Sequence, residues 1–353
     1  MPDSAYLPIL ELTRGRTVES IHSGAVAVVS AQGELVASFG DPQVTTYLRS
    51  SAKPFQALPF LEHNGRTHFN LTLQEIALMC ASHAGTDEHV AVLQDIQEKA
   101  GLSESNLKCG VHPPFDPVTA RVLEERGEQP TPKRHNCSGK HTGMLAFAKM
   151  LDLTLGDYLN PDHPIQQEIL GTFAEMCSLA PDQVALGTDG CSAPIFAIPL
   201  YNAALAYARL CDPVGGKVAP ESRQQACHTI SQAMTTHPIM VSGSGHFDTT
   251  MMEITQGRIL SKGGAEGYQG IGLLPGALGP GLPALGIALK IADGDPKSRA
   301  RSAINIEVLR QLGALSKDEM QALTRFGPGY PLYNWRKLEV GEARPCFELE
   351  LNG

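Results

Sequence analysis

The sequence predicts a mixed α/β (α+β) fold in which one mainly antiparallel sheet, formed from both chain ends, packs against a helical region. Three observations lead there. β-Prone runs gather toward both termini, helical apolar spacing fills the middle, and no internal repeat, low-complexity tract or flexible linker separates them. At 353 residues the chain exceeds the usual single-core domain, so one composite domain is expected. Its approximate sheet lobe is residues 1–48 plus 236–353, and its helical lobe is residues 49–235.

The elements follow in order. Residues 23–39 read as two strands around the turn Ala31-Gln32-Gly33, a hairpin pattern. After the break at Asp41-Pro42, the spacing of Phe55, Leu58 and Leu61 suits a helix beginning near Ser51, with Pro54 tolerated in its first turn. Residues 72–80 and 88–100 carry helical spacing on either side of the small-residue turn 80–85, where backbone and hydroxyl groups can face a cavity. Helices are further expected over 142–150, 165–179, 195–210, 222–235, 281–292 and 303–312. Strands are expected over 251–254, 257–261, 267–274 and 346–351.

Composition narrows the function classes. Apolar residues at 42% and charged residues at 18% describe a globular chain rather than a disordered one. A formal charge of −9 with no lysine or arginine run argues against a nucleic-acid surface, which needs a basic face. No stretch approaches the roughly 18 apolar residues of a membrane helix. The early run 25–29 is too short and too late for an export signal, so a cytoplasmic protein is expected. In that setting the eight cysteines read as reduced thiols, most of them small buried hydrophobes, rather than as a disulfide framework.

Four clusters hold residues suited to chemistry. Ser50 stands three residues before Lys53 at a predicted helix start, where one helical turn brings the two side by side. A lysine whose pKa is lowered by burial or by a neighbouring cation can take the proton from a serine hydroxyl. The plainer alternative makes Ser50 a helix cap and Lys53 a solvated residue. Lys262-Gly263-Gly264 follows an apolar run and leaves room for a substrate against the backbone, or else is an ordinary glycine hairpin. His135-Asn136-Cys137-Ser138-Gly139-Lys140-His141 is a dense polar group before a helix, with Ser138 or Thr142 as possible caps. Asp189, in the polar turn 187–194, could hold an ammonium group or simply form an Asx turn. Cys137 and Cys191 invite a zinc reading, although their spacing matches no zinc motif and buried thiols satisfy the pattern as well. His83, His89, His135, His141 and His246 could be ligands, but a lone histidine is more often a hydrogen-bonded structural residue.

Taken as an ordered set, RSSAKP (49–54), CASHAGTDEH (80–89), HNCSGKHTGM (135–144), TDGCSAP (188–194) and SKGGAEG (261–267) resemble the serine-dependent L-asparaginases of the rhizobial, thermolabile type. The resemblance extends over essentially the whole chain. It implies a fold similar to that of serine β-lactamases and glutaminases, hydrolysis of L-asparagine to L-aspartate and ammonia, and two Ser-Lys pairs: Ser50 with Lys53, and Ser82 with Lys262. Ser50 is then the expected nucleophile and Lys53 its base, with either serine open as the acylated one. Backbone amides near Ser50 and at Gly264 and Ala265 would stabilise an oxyanion, and Arg49, His141 and Asp189 would bind the amino-acid zwitterion. The resemblance also implies zinc held by Cys137, Lys140 and Cys191 in a modulatory or structural role, no organic cofactor, and a homodimer. No nucleic-acid or membrane partner is expected. The alternatives are a glutaminase, a penicillin-recognising serine hydrolase, or a non-catalytic zinc or amino-acid-binding protein of the same fold.

Overall fold

The computed structural model describes residues 5–352. The chain forms two compact units, a sheet unit (residues 1–51, 198–216 and 250–353) and a helical unit (residues 52–197 and 217–249).

The sheet unit is built on nine strands: β1 (Leu7–Arg14), β2 (Thr17–Ser30), β3 (Leu35–Phe39), β4 (Ile259–Gly263), β5 (Tyr268–Leu273), β6 (Leu285–Ile291), β7 (Tyr330–Tyr333), β8 (Glu339–Pro345) and β9 (Glu350–Leu351). They run in the order β7-β8-β1-β2-β6-β5-β4, with β3 joined to β2 and β9. Every pairing is antiparallel. The expected sheet from both chain ends is therefore present. β2 is long enough to change partners along its length: its first half pairs with β1, and its second half pairs with β6 and β3.

Helix Leu200–Cys211 belongs to this unit. A Cβ on Gly286 of β6 would stand 1.8 Å from the Ala204 carbonyl of that helix, so only glycine lets the helix lie this close to the strand.

Several predicted elements differ from those observed. Residues 281–292 contain strand β6 instead of a helix. This run is a continuous apolar stretch paired on both edges and buried on both faces, a case that periodicity cannot separate from a buried helix. Residues 251–254 lie in helix Phe247–Ile254 rather than in a strand. The expected helix from 195 begins as a strand, Pro194–Pro199, and turns helical at Leu200. Strands β1, β7 and β8 are additional, and the strand expected at 346–351 shrinks to β9.

The helical unit packs helices Lys53–Gln56, Leu58–Glu62, Leu73–Met79, Asp87–Lys99, Ser138–Met150, Pro164–Met176 and Glu221–Thr236 around an aromatic core. Phe173 stands 6.0 Å from Phe55 and 4.4 Å from Phe196, and Phe60 stands 6.3 Å from Phe147, all between ring centroids. Such contacts add modestly to the burial of each ring. No described helix is long and apolar enough to cross a membrane. All eight cysteines are free, and seven of them are buried.

Candidate active site

In the sheet unit, the 3-10 turn Arg49–Ala52 lies against strand β4. Ser51 is fully buried and makes this attachment: its Oγ donates to the Lys262 carbonyl at 2.6 Å, and its own carbonyl accepts the Tyr207 hydroxyl at 2.7 Å. Ser51 is thus committed to structure, whereas its neighbour Ser50 is only half-buried. Arg49 takes a left-handed backbone conformation, φ 51°, uncommon for a side chain of its size. Lys262 is fully buried on β4, and its Nζ donates to the Gly263 carbonyl at 2.8 Å. A Cβ on Gly264 would come within 2.4 Å of the Leu48 carbonyl and 3.3 Å of Ser51 Oγ, which explains the second glycine of the motif. The amide of Gly264 donates to Tyr268 O at 2.9 Å, closing the β4–β5 hairpin. Of the two amides considered for an oxyanion, that of Ala265 donates to no described residue.

In the helical unit, Lys53 opens its helix and is 1% exposed. Its Nζ donates to Ala81 O at 2.6 Å and to Ser82 Oγ at 2.9 Å. The hydroxyl bonded to Lys53 is therefore that of Ser82, where the resemblance had paired Ser82 with Lys262. Ser82 sits in the turn between helices Leu73–Met79 and Asp87–Lys99, and Thr86, the N-cap of the second helix, closes the turn. Within the turn, the Ser82 amide donates to Val241 O at 2.9 Å and the His83 amide to Asn136 O at 3.2 Å.

His83 is a bracing residue. Its Nδ1 accepts the Gly85 amide at 3.1 Å, so its Nε2 carries the proton and donates to Ser138 Oγ at 2.8 Å, which in turn donates to Lys133 O at 2.8 Å. Burial, reinforced by the nearby His89 and Lys53, holds its pKa well below the ordinary histidine range, so the ring is neutral.

The thiol cluster adjoins Lys53. Cys137 and Cys191 are buried, and their sulfurs lie with a carboxylate oxygen of Asp189 within 4.8 Å of one another. Lys140 Nζ donates to Cys191 Sγ at 3.1 Å, and Cys191 Sγ donates to Asp189 at 3.6 Å. A hydrogen bond from Cys191 pulls the Cys137 thiol well below its ordinary pKa against the effect of burial, with the charges of Lys53 and Lys140 assisting. The same bond raises Cys191. The contact between the two sulfurs thus favours negative charge on Cys137 over Cys191. Burial disfavours the charge on Lys140, but the two thiol groups outweigh it and raise its pKa.

His141 also adjoins Cys191. The Tyr158 hydroxyl accepts the Lys108 amide at 3.0 Å and is hydrogen-bonded to His141 Nδ1 at 2.6 Å. Burial lowers the His141 pKa to about 4, so it is neutral at physiological pH.

Two buried sulfurs, a carboxylate and a lysine amine form a donor set that fits a small thiophilic divalent cation. The structure adds Asp189 to the three residues expected from the sequence. It also makes His83 a structural brace of the Ser82 turn, and it shows two groups the sequence reading missed, Tyr158 behind His141 and Tyr207 behind Ser51. Neither had a local signal, because each bond joins segments distant in the chain.

The sequence matches the family model described as L-asparaginase II over residues 10–345. No curated protein matches it. Among solved structures, a probable glutaminase from Bacillus subtilis complexed with 6-diazo-5-oxo-L-norleucine shares 11% identity, with 77% of this chain and 78% of that one covered, at a TM-score of 0.36. A Bacillus glutaminase shares 12%, covering 77% and 84%, at a TM-score of 0.34.

Proposed function

Since the chain belongs to the L-asparaginase II family, and amidohydrolase chemistry is what that membership supports, we propose that it hydrolyses L-asparagine to L-aspartate and ammonia through a serine-lysine acyl-enzyme. The observation that carries this reading is a buried lysine amine, Lys53 Nζ, 2.9 Å from a serine hydroxyl, on the turn that follows Ser50 by three residues.

Ser50 attacks the carboxamide carbon, and its proton passes to the amine of Lys53. The tetrahedral intermediate expels ammonia, which takes up a proton from the lysine-serine network. Water then adds to the acyl-enzyme with Lys53 again accepting a proton, and aspartate leaves. Ser82, bonded to Lys53, and Lys262 complete the network. The Ala265 amide serves the oxyanion, while Arg49, His141 and Asp189 bind the zwitterion.

Cys137, Lys140 and Cys191, with Asp189 in reach, would hold zinc. When bound, zinc would supply positive charge that neutralises the thiolate, and no step of serine chemistry passes through it. A ligating Lys140 must be neutral, so zinc affinity should fall in acid. The protein is read as a cytoplasmic homodimer without nucleic-acid or membrane partners.

The reading is tested by measuring ammonia release from L-asparagine and L-glutamine beside opening of a penicillin-type β-lactam. Asparagine is expected to be the best substrate. Glutamine preference or β-lactam opening would move the chain to a neighbouring activity, and asparagine binding without any turnover would make it a non-catalytic binder.

A further inference from the structure

The turn joining β4 to β5 has an unusual balance of committed and open backbone groups. Its carbonyls at Gly264, Ala265 and Glu266 are occupied by donors from other parts of the sheet unit or of the hairpin. Gly264 O accepts Arg301 Nη1 at 2.6 Å, Ala265 O accepts the Tyr268 amide at 3.4 Å, and Glu266 O accepts Lys290 Nζ. By contrast, the amides of Ala265 and Glu266 donate to no described residue. Acceptors taken and donors left open make a segment receptive to negative charge.

Two of the three clamping donors are cations, and both are themselves anchored. Lys290 lies on strand β6 and also donates to Ile291 O at 2.8 Å. Arg301 begins helix Arg301–Gln311, and the carboxylate of Asp295 fixes that start by accepting the amides of Arg299 at 2.7 Å, Ala300 at 3.0 Å and Arg301 at 2.9 Å. Asp295 is held in turn through its own amide, which donates to Asp293 at 3.0 Å, and Asp293 bonds His22 at 2.8 Å. The strain of the turn, with Glu266 at φ 57°, is maintained by this frame.

We propose that Arg301 and Lys290 are positioning residues that hold the Gly264–Glu266 turn with its carbonyls drawn back, so that its open amides stabilise the oxyanion of the tetrahedral intermediate. Resting on the amidohydrolase reading, this names the part of the sheet unit that supplies its electrostatics. A hydrogen bond from a cation to a carbonyl also polarises the peptide group, which makes the next amide, that of Ala265, a stronger donor. Neither residue touches substrate in this role. Their loss should act on the transition state more than on the ground state.

The test compares wild type with Arg301→Met and Lys290→Met in steady-state ammonia release from L-asparagine. It is accompanied by calorimetric binding of L-aspartate, as a ground-state ligand, and by thermal melting to confirm folding. Each variant is expected to lower kcat by about 10- to 100-fold, below the effect of deleting an oxyanion donor itself, while KM and the aspartate dissociation constant change by less than about 3-fold. Folded variants with wild-type kcat would overturn the proposal. So would KM and aspartate dissociation constants that rise in step with the loss of kcat, because the turn would then serve substrate binding. Should Arg301→Met not fold, Lys290→Met decides alone. Wild-type protein that releases no ammonia from either amide would overturn the amidohydrolase reading itself, an outcome distinct from unchanged variants of an active enzyme.

Discussion

At the residue scale, the adjacent serines 50 and 51 divide two tasks. Ser51, fully buried, spends its hydroxyl on the Lys262 carbonyl. Ser51→Ala should therefore lower stability by about 1 kcal/mol in chemical denaturation, the usual net worth of such a bond, and reduce turnover much less than Ser50→Ala does. For Ser82, bonded to Lys53, removal of the hydroxyl should reduce kcat by about 100-fold or more in the ammonia assay, a loss typical of an acid-base partner. The spacing of Ser50 and Lys53 was legible because residues three apart on a helical turn are neighbours by local geometry alone. The bond between Lys53 and Ser82 was not, since it depends on how two separate helical segments pack, which no local pattern encodes.

At the element scale, the Ser82 turn is as well defined as the helices that bound it. Thr72 and Glu75 form a reciprocal capping box at the start of the preceding helix. His83 and His89 stack with ring centroids 5.0 Å apart, and both are kept neutral by burial. Their folded pKa values lie below the unfolded value of 6.5. Above that value neither state binds a proton at these rings, and their contribution to stability is fully present. As pH falls below it, the unfolded chain takes up protons that the folded chain refuses, so the contribution is lost toward the depressed folded values. The melting temperature should drop by roughly 2 °C or more between pH 7 and pH 5, and His83→Gln should flatten that dependence. In the other unit, Gly264→Ala should displace the β4–β5 turn, because a methyl group cannot occupy the space beside the Leu48 carbonyl, and kcat should fall with it. Helices with exposed polar faces were legible from apolar spacing, as over 164–176 and 221–236. Strand β6 was not, because burial on both faces removes the alternation that marks a strand.

At the scale of the whole molecule, the sheet from both chain ends was legible from where β-prone runs occur, while β1 and β7, each interrupted by a proline, and β8, of mixed polar sequence, escaped notice. The polar clusters were legible as clusters, since a core cannot hold so many polar groups unpaired. Their partners in tertiary structure, Arg301 and Lys290 among them, were not. Metal removal separates the thiol cluster from the chemistry. Chelation should change the affinity for asparagine while leaving kcat within about 3-fold, if the metal acts through charge and order rather than through bound water. The central claim is that the Lys53 amine takes the proton of a serine hydroxyl. It is tested most directly by the rate of ammonia release from L-asparagine by Lys53→Met, in protein shown to be folded by its melting curve. The account predicts a fall of about 1,000-fold or more, consistent with loss of the general base in an interdependent catalytic group. Turnover near that of wild type would contradict it.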